Sequence, residues 1–222
     1  MAILFNGVTS YVAPSTAVTR SVYHTCATAT GLLLVRVALR GASLAPTGIT
    51  VTYGGTALSL VSGTAATHSS SRAYSGIFAL PNPTIGASLE LKASWAQAAN
   101  CVLTATNVSG CDSMPINGAS ATGSNTTPSC TAGGGTAGAL VVDSLVVNSG
   151  RTLTPTGGSN AAYAQLTTSS GANDLAHRAA SRSSNPSITL TWSLDSAANW
   201  AISLCVLNPS SAAANGKFFL FF

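Results

Sequence analysis

Eight side chains of this 222-residue sequence titrate in the range that general acid–base chemistry uses: the acids Glu90, Asp112, Asp143, Asp174 and Asp195, and the histidines His24, His68 and His177. An enzyme needs such groups to converge on one reacting atom. No two of these acids are neighbours, so the paired carboxylates of a glycoside hydrolase would have to be assembled by the fold alone. Glu90 and Lys92 share one face of an alternating segment and read as a solvated strand face. No G-x-S-x-G elbow presents a serine to any histidine. His24 reads as a hydrogen-bonded rim residue and His68, in "ATHSSSR", as an exposed loop residue. The glycine-rich "TAGGGTAGAL" lacks the lysine of a phosphate loop. Calcium needs several oxygen ligands, and no Asp-x-Asp run supplies them. The odd acid is Asp143, set in the apolar "ALVVDSLVV": a functional reading makes it an acid/base, and the favoured structural reading gives it the outward position of a strand or an arginine partner such as Arg36 in the equivalent strand. These residues predict no enzyme, no cofactor and no metal.

The five cysteines, Cys26, Cys101, Cys111, Cys130 and Cys205, form no Cys-x-x-Cys zinc pair. Cys111 and Cys130 flank a polar loop and are candidates to close it as a disulfide; Cys26, Cys101 and Cys205 read as reduced small hydrophobes in strands. Among the aromatics, Trp192 and Trp200 lie in apolar strands and belong to a core. Trp95, at an expected turn, is the candidate for an exposed ring that stacks on a sugar, with Tyr53, Tyr74 and Tyr163 as further members of such a platform. Asn107 and Asn125 stand in N-x-S/T sequons.

Composition narrows the class further. Only 6% of residues are charged, against roughly 25% in ordinary soluble domains. Polarity comes instead from Ser, Thr, Asn and Gly, which suits faces covered by neighbours. The net charge of +4 arises from nine Lys and Arg scattered along the chain, with only Arg178 and Arg182 close together, so no nucleic-acid footprint is expected. The opening "MAILFNGVTSYVAPS" lacks the basic and apolar regions of a secretory signal. The longest apolar run, "GLLLVRVAL", is well short of the ~20 residues of a membrane helix, and no membrane span is expected. Four of the six phenylalanines gather in "KFFLFF": Phe218, Phe219, Phe221 and Phe222, with Leu220 between them. A small-residue tether precedes them, and this apolar tail is the candidate subunit contact.

Period-two patterns rich in β-branched residues recur between Gly, Pro, Asn and Ser clusters. Strands are expected at "LLLVRVAL", on both sides of Gly54-Gly55 in "GITVTYGGTALSLV", at "SRAYSGIFAL", "ASLELKAS", "CVLTATNV", "ALVVDSLVV", "AYAQLTT", "LAHRAAS", "SITLTWS" and "WAISLCVLN". No apolar stripe has helical spacing. Residues 71–109 and 175–210 resemble each other, each with an Asn-Pro turn (Asn82-Pro83, Asn185-Pro186), an alternating strand, an Ala-Ala-Asn turn and an apolar strand. The expectation is an all-β, antiparallel, jelly-roll-like β-sandwich over residues 1–209. It is built from two similar strand sets, about 20–110 and 139–209, divided by a crossover loop at 118–138 with a short strand at "TTPSCTA". Residues 210–222 form the tether and tail.

The succession "MAILFNGVTS", "HTCATATGLLLVRVALR", "ITVTYGGTALSLV", "RAYSGIFALPNPTIGASLEL", "TATNVSGCDSMPI", "GALVVDSLVV" and "SITLTWSLDSAANWAISLCVLNP" resembles a largely uncharacterised family of β-sandwich proteins of tailed phages and environmental bacterial sequences. The likeness covers nearly all of residues 1–209 and departs at "KFFLFF" and "CDSMPI". It implies a virion or surface component and carries over no active residue. The expected function is a non-enzymatic structural subunit in the virion, a capsid decoration (cement) protein or a tail or fibre protein. Its partners would be copies of itself or another virion protein such as a major capsid protein. A subunit of a self-assembling extracellular filament, or a carbohydrate-binding adhesive module that recognises surface glycans, are the alternatives.

Overall fold

In a computed structural model of the chain, every regular element among the described residues is a strand and every strand pair is antiparallel. The structure describes residues 2–27, 30–111, 114, 117–148, 150–156, 162–170, 173–181 and 187–210, with backbone alone at 12–14, 162–170 and 173–181. No helix among them is long and apolar enough to cross a membrane.

The first half is one eight-stranded sheet: β1 (Leu4–Thr25), β2 (Leu32–Gly41), β3 (Thr50–Tyr53), β4 (Thr56–Ala57), β5 (Ser59–Leu60), β6 (Ala66–His68), β7 (Ala73–Pro81) and β8 (Ser88–Ser109). β8 organises it. On one side β1 pairs along its whole length; on the other, β3 takes residues 91–94 and β2 takes residues 99–108. Between those stretches β8 passes from one layer to another, and β1 follows with register shifts between Ala13 and Thr19. An extra residue in one strand adds local bend and twist, so the sheet folds over on itself. Leu33, Val35, Val37 and Leu39 of β2, with Cys101 and Leu103 of β8, then pack against Val51, Tyr53, Leu91 and Trp95 of the facing layer. The β3–β4 hairpin closes on Gly54 and Gly55, both at positive φ (53° and 83°). A two-residue turn of that hand matches strand twist and demands residues without a Cβ penalty.

The second half repeats this pairing. Its strands are β9 (Asn117–Asn125), β10 (Ser129–Gly133), β11 (Leu140–Val147), β12 (Leu153–Thr156), β13 (Ala162–Ser170), β14 (Asn173–Ser181), β15 (Ser187–Leu194) and β16 (Ala198–Leu207). They form the sheets β13-β14-β11-β16-β9 and β10-β15-β12. β11 stands between β14 and β16 as β2 stands between β7 and β8, and β15 pairs β12 as the first part of β8 pairs β3. β9 and β10 take the places of the two arms of β1. The difference is continuity. The first half carries its two long strands unbroken from layer to layer, and the second breaks both, between Asn125 and Ser129 and between Leu194 and Ala198.

Each strand set closes a sandwich of its own, and the two sandwiches pack back to back. Leu32, Leu34, Ile77 and Ala79 meet Leu140, Val142, Cys205 and Leu207, and Ala38 and Val102 meet Val146 and Ala201. Beyond that interface Val141, Leu145 and Ile202 pack on Ile188, Leu190 and Trp192. The result is four layers, of which the inner two are buried on both faces. This explains why β2 and β11 are buried at every residue and read as continuous apolar runs rather than alternations.

Three local expectations change. Residues 118–138 contain the sheet strands β9 and β10 and not a crossover loop; the short strand expected there is β10. Small residues are required in β9: a Cβ on Gly123 would lie 2.4 Å from Trp200 Cζ2, and one on Gly118 would lie 2.1 Å from the Ser62 carbonyl oxygen. Glycine in a strand often marks such close approach. Residues 98–100, expected as a turn, lie within β8. β1, most of which shows no clean alternation, is the longest strand together with β8.

Candidate functional site

The titratable groups are held apart. Asp143 is fully buried, which rules out the outward position. Its Oδ2 accepts the Trp192 indole N–H at 2.8 Å. Burial lowers the Arg36 guanidinium to about 10, and the negative charge of Asp143 pushes it back up. Toward Arg36 the carboxylate acts as a through-space charge: it lies on the face of β11 that meets Trp192. Arg36 lies between the sandwiches, with Nη2 3.4 Å from Thr106 Oγ1. The backbone of Arg178 in β14 stands opposite Asp143. Around Arg36 the interface is polar: Ser75 Oγ donates to the Ser144 carbonyl at 2.7 Å, and Ser203 Oγ donates to the Thr64 carbonyl. Arg40 reaches Asn148 Oδ1 across the same seam, its Nε at 2.9 Å. These groups join the two halves, and their burial removes them from any substrate in solvent.

His24 sits elsewhere, in the seam of the first sandwich, and is buried. Its Nε2 lies 2.6 Å from Asn107 Oδ1 and its Nδ1 lies 2.8 Å from Thr9 Oγ1. With Asn107 Oδ1 as an acceptor, Nε2 carries the proton of the neutral ring and Nδ1 accepts from the Thr9 hydroxyl. Asn107 Nδ2 in turn donates to the Thr25 carbonyl at 2.9 Å. The chain of bonds ties the two arms of β1 to β8, and it occupies the amide of the Asn107 sequon. Asn125, the other sequon, is exposed at the end of β9. His68 is half-buried rather than exposed, 3.5 Å from Ser124 Oγ. Glu90, Lys92 and Asp195 face solvent. The side chains of Asp174 and His177, and all of Asp112, lie outside the described residues. Among those described, no three His, Cys, Asp or Glu side chains gather as metal ligands would.

The sugar-stacking and disulfide candidates change. Trp95 is 4% exposed, sits in the core of the first sandwich and donates its indole N–H to the Ala17 carbonyl at 2.8 Å. The expected turn that would have displayed it is continuous strand. Tyr53 and Tyr74 are buried too, and the side chain of Tyr163 is outside the described residues. Cys111 and Cys130 are both thiols. Cys111 packs at the interface between the sandwiches and Cys130 in the core of the second, so the five-stranded sheet stands between them. Burial raises the Cys101 thiol to about 12 and the Cys130 thiol to about 11.

The surface feature that sequence reading missed is the outer edge of β1. Among the described residues this strand is hydrogen-bonded only to β8 and closes one side of its sheet. Of the seven exposed large apolar side chains among the described residues, four belong to it: Leu4, Val8, Val18 and Tyr23, between 48% and 70% exposed. Its one Lys or Arg, Arg20, is turned back onto the carbonyl and hydroxyl of Ser15, at 2.6 and 2.8 Å. Natural edge strands are normally short, charged or covered; this one runs 22 residues. The described chain also ends beside it. Ser210 N–H donates to the Gly110 carbonyl at 2.9 Å, Pro209 bridges Cys111, and Leu4 pairs with Ser109. Residues 211–222, with Phe218, Phe219, Leu220, Phe221 and Phe222, lie outside the described residues but set out from this corner. No family model, curated protein or solved structure matches the chain.

Proposed function

We propose that this chain is a non-enzymatic structural subunit of a viral particle, a capsid decoration or a tail or fibre protein, joined to copies of itself or to another virion protein such as a major capsid protein. The observation that carries the reading is the long, apolar, nearly uncharged edge of β1. Such an edge offers a row of backbone donors and acceptors with no charge to repel a partner. The scarcity of charge in the whole chain and the resemblance to phage sandwich proteins support the same role. Burial of one phenylalanine side chain contributes about 1.5–3 kcal/mol, so a tail with four of them can hold a subunit even against ordering costs.

A self-assembling extracellular filament is the second reading. It is favoured by one property of a tail-to-edge contact: it is heterologous, and a heterologous contact that does not close a ring propagates as a fibre. The adhesive, glycan-binding reading loses its stacking residue with Trp95 inside the core.

Electron microscopy of native particles, with labelling by an antibody to this chain, tests the proposal. The expected result is regular labelling of a shell, tail or fibre. A purified chain that stays monomeric over a wide concentration range, and labels no particle, overturns it.

A further inference from the structure

We propose that residues 4–13 of β1 are the acceptor for residues 217–222 of a second copy, which add to the eight-stranded sheet as an extra strand; this rests on the assembly reading above. Addition of an extended segment to an open edge draws affinity from backbone hydrogen bonds and specificity from alternate side chains. Residues 4–13 contain no charged side chain and no proline. The second arm, residues 19–25, carries Arg20, and the register shifts between Ala13 and Thr19 separate the two. Within the first arm, Gly7, Thr9 and Tyr11 pair with Asn107, Ala105 and Leu103 on the side of the first sandwich core, leaving Val8 exposed on the other face; the register shift between Phe5 and Gly7 puts exposed Leu4 on the face opposite to Val8. In an added strand, Phe218, Leu220 and Phe222 would share one face and Phe219 and Phe221 the other. One set would lie on the side that bears Val8 and the other on the side that bears Leu4.

Register arithmetic favours a neighbour's segment over the chain's own. Ser210 stands at the Leu4 end of β1, and an extended strand advances about 3.3 Å per residue. A segment running directly from Ser210 along its own edge would set the small residues 211–216 beside Leu4 and Val8. Its phenylalanines would then fall near the irregular stretch that holds Pro14. A second copy is free of that constraint and can place the phenylalanines against residues 4–13.

Full-length chains carrying Val8→Cys and Leu220→Cys, mixed in equal amounts under mild oxidant, test the inference, with linkages identified by peptide mapping. The expected result is a disulfide between the two chains, formed about tenfold or more faster than between Leu220→Cys and an exposed control, Glu90→Cys, as for thiols held at millimolar effective concentration. Val8→Lys, at an exposed position, should keep the melting temperature and lose assembly. Prominent linkage of Val8→Cys to itself would mean that two β1 edges pair, and overturns the inference. An intramolecular disulfide in the doubly substituted monomer would mean that the chain caps its own edge, and overturns it too. So does unchanged assembly of Val8→Lys. If the unsubstituted chain assembles while these linkages fail, only this inference falls; if it never assembles, the functional reading falls as well.

Discussion

Replacing Asp143 with alanine should be among the most damaging single changes in the protein. The carboxylate is fully buried, accepts the Trp192 indole N–H at 2.8 Å, and supplies the negative charge that offsets the desolvation of Arg36. Without it the indole N–H loses the Asp143 oxygen as acceptor, at a cost of about 1–3 kcal/mol. Breaking a buried charge arrangement by removing one member costs about 3–5 kcal/mol. The two terms describe overlapping losses, so the total is about 3–5 kcal/mol rather than their sum. At about 2–4 °C per kcal/mol for a chain of this size, the melting temperature should fall by roughly 6–20 °C. Asp143→Asn keeps an oxygen for the indole and removes only the charge, so it should recover about 1–2 kcal/mol of that loss. Arg36→Met removes the cation, and combined with Asp143→Asn it should be more stable than the two separate effects predict. Thermal melts by circular dichroism, with urea titrations of the same four proteins, give the cycle. A cost below about 1 kcal/mol for Asp143→Ala, or additivity within about 0.5 kcal/mol in the cycle, would refute the coupling across the seam.

Alkaline pH should erode stability in a defined window. Burial raises Cys101 from 9.0 to about 12, Cys130 from 9.0 to about 11, and Tyr53 and Tyr74 from 10.0 to about 12. The unfolded chain releases these protons first, so stability present below pH 9 is lost as pH climbs from 9 to 12; Arg36, lowered to about 10, opposes them only in the upper part of that range. A flat melting temperature from pH 8 to 11 contradicts this. Thiol labelling of the native protein should modify half-buried Cys111 and spare Cys26, Cys101, Cys130 and Cys205; labelling of several sites before unfolding would show a looser core. Gly123→Ala should cost about 1–3 kcal/mol by overpacking against Trp200, whereas Gly31→Ala, whose Cβ meets nothing within 4 Å, should leave the urea midpoint almost unmoved; equal midpoints would rule out the close contact.

Much of the strand content was legible because buried β-branched runs and Gly-Gly or Asn-Pro turns are local signals. β2, β7, β11, β15 and β16 fall where those runs lie. β9 was not legible, since its strand identity rests on Trp200 and Ser62 packing against glycines that read as loop residues. Trp95 was assigned to a turn because residues 95–100 look like a break between two strands; the pairing of β1 with both parts of β8 is what carries the strand through. Asp143 and Arg36 could be linked from sequence because their strands looked equivalent, but the Trp192 hydrogen bond depends on which face of β11 meets β15. The edge of β1 is open among the described residues because none of them but those of β8 pairs with it, and no local pattern encodes that.

The pairing of β1 also governs when the protein can fold during synthesis. Leu4 is made about a hundred residues before its partner Ser109. At about 5–20 residues per second, roughly 5–20 s separate the two. For that time a 22-residue strand with a single Lys or Arg waits outside the ribosome without its sheet. On neighbouring ribosomes of one message the same strand is waiting too, at high local concentration. Translation speed across residues 26–109 therefore sets the exposure to misassembly. A host that slows there should yield insoluble chains, even though the finished fold is unchanged.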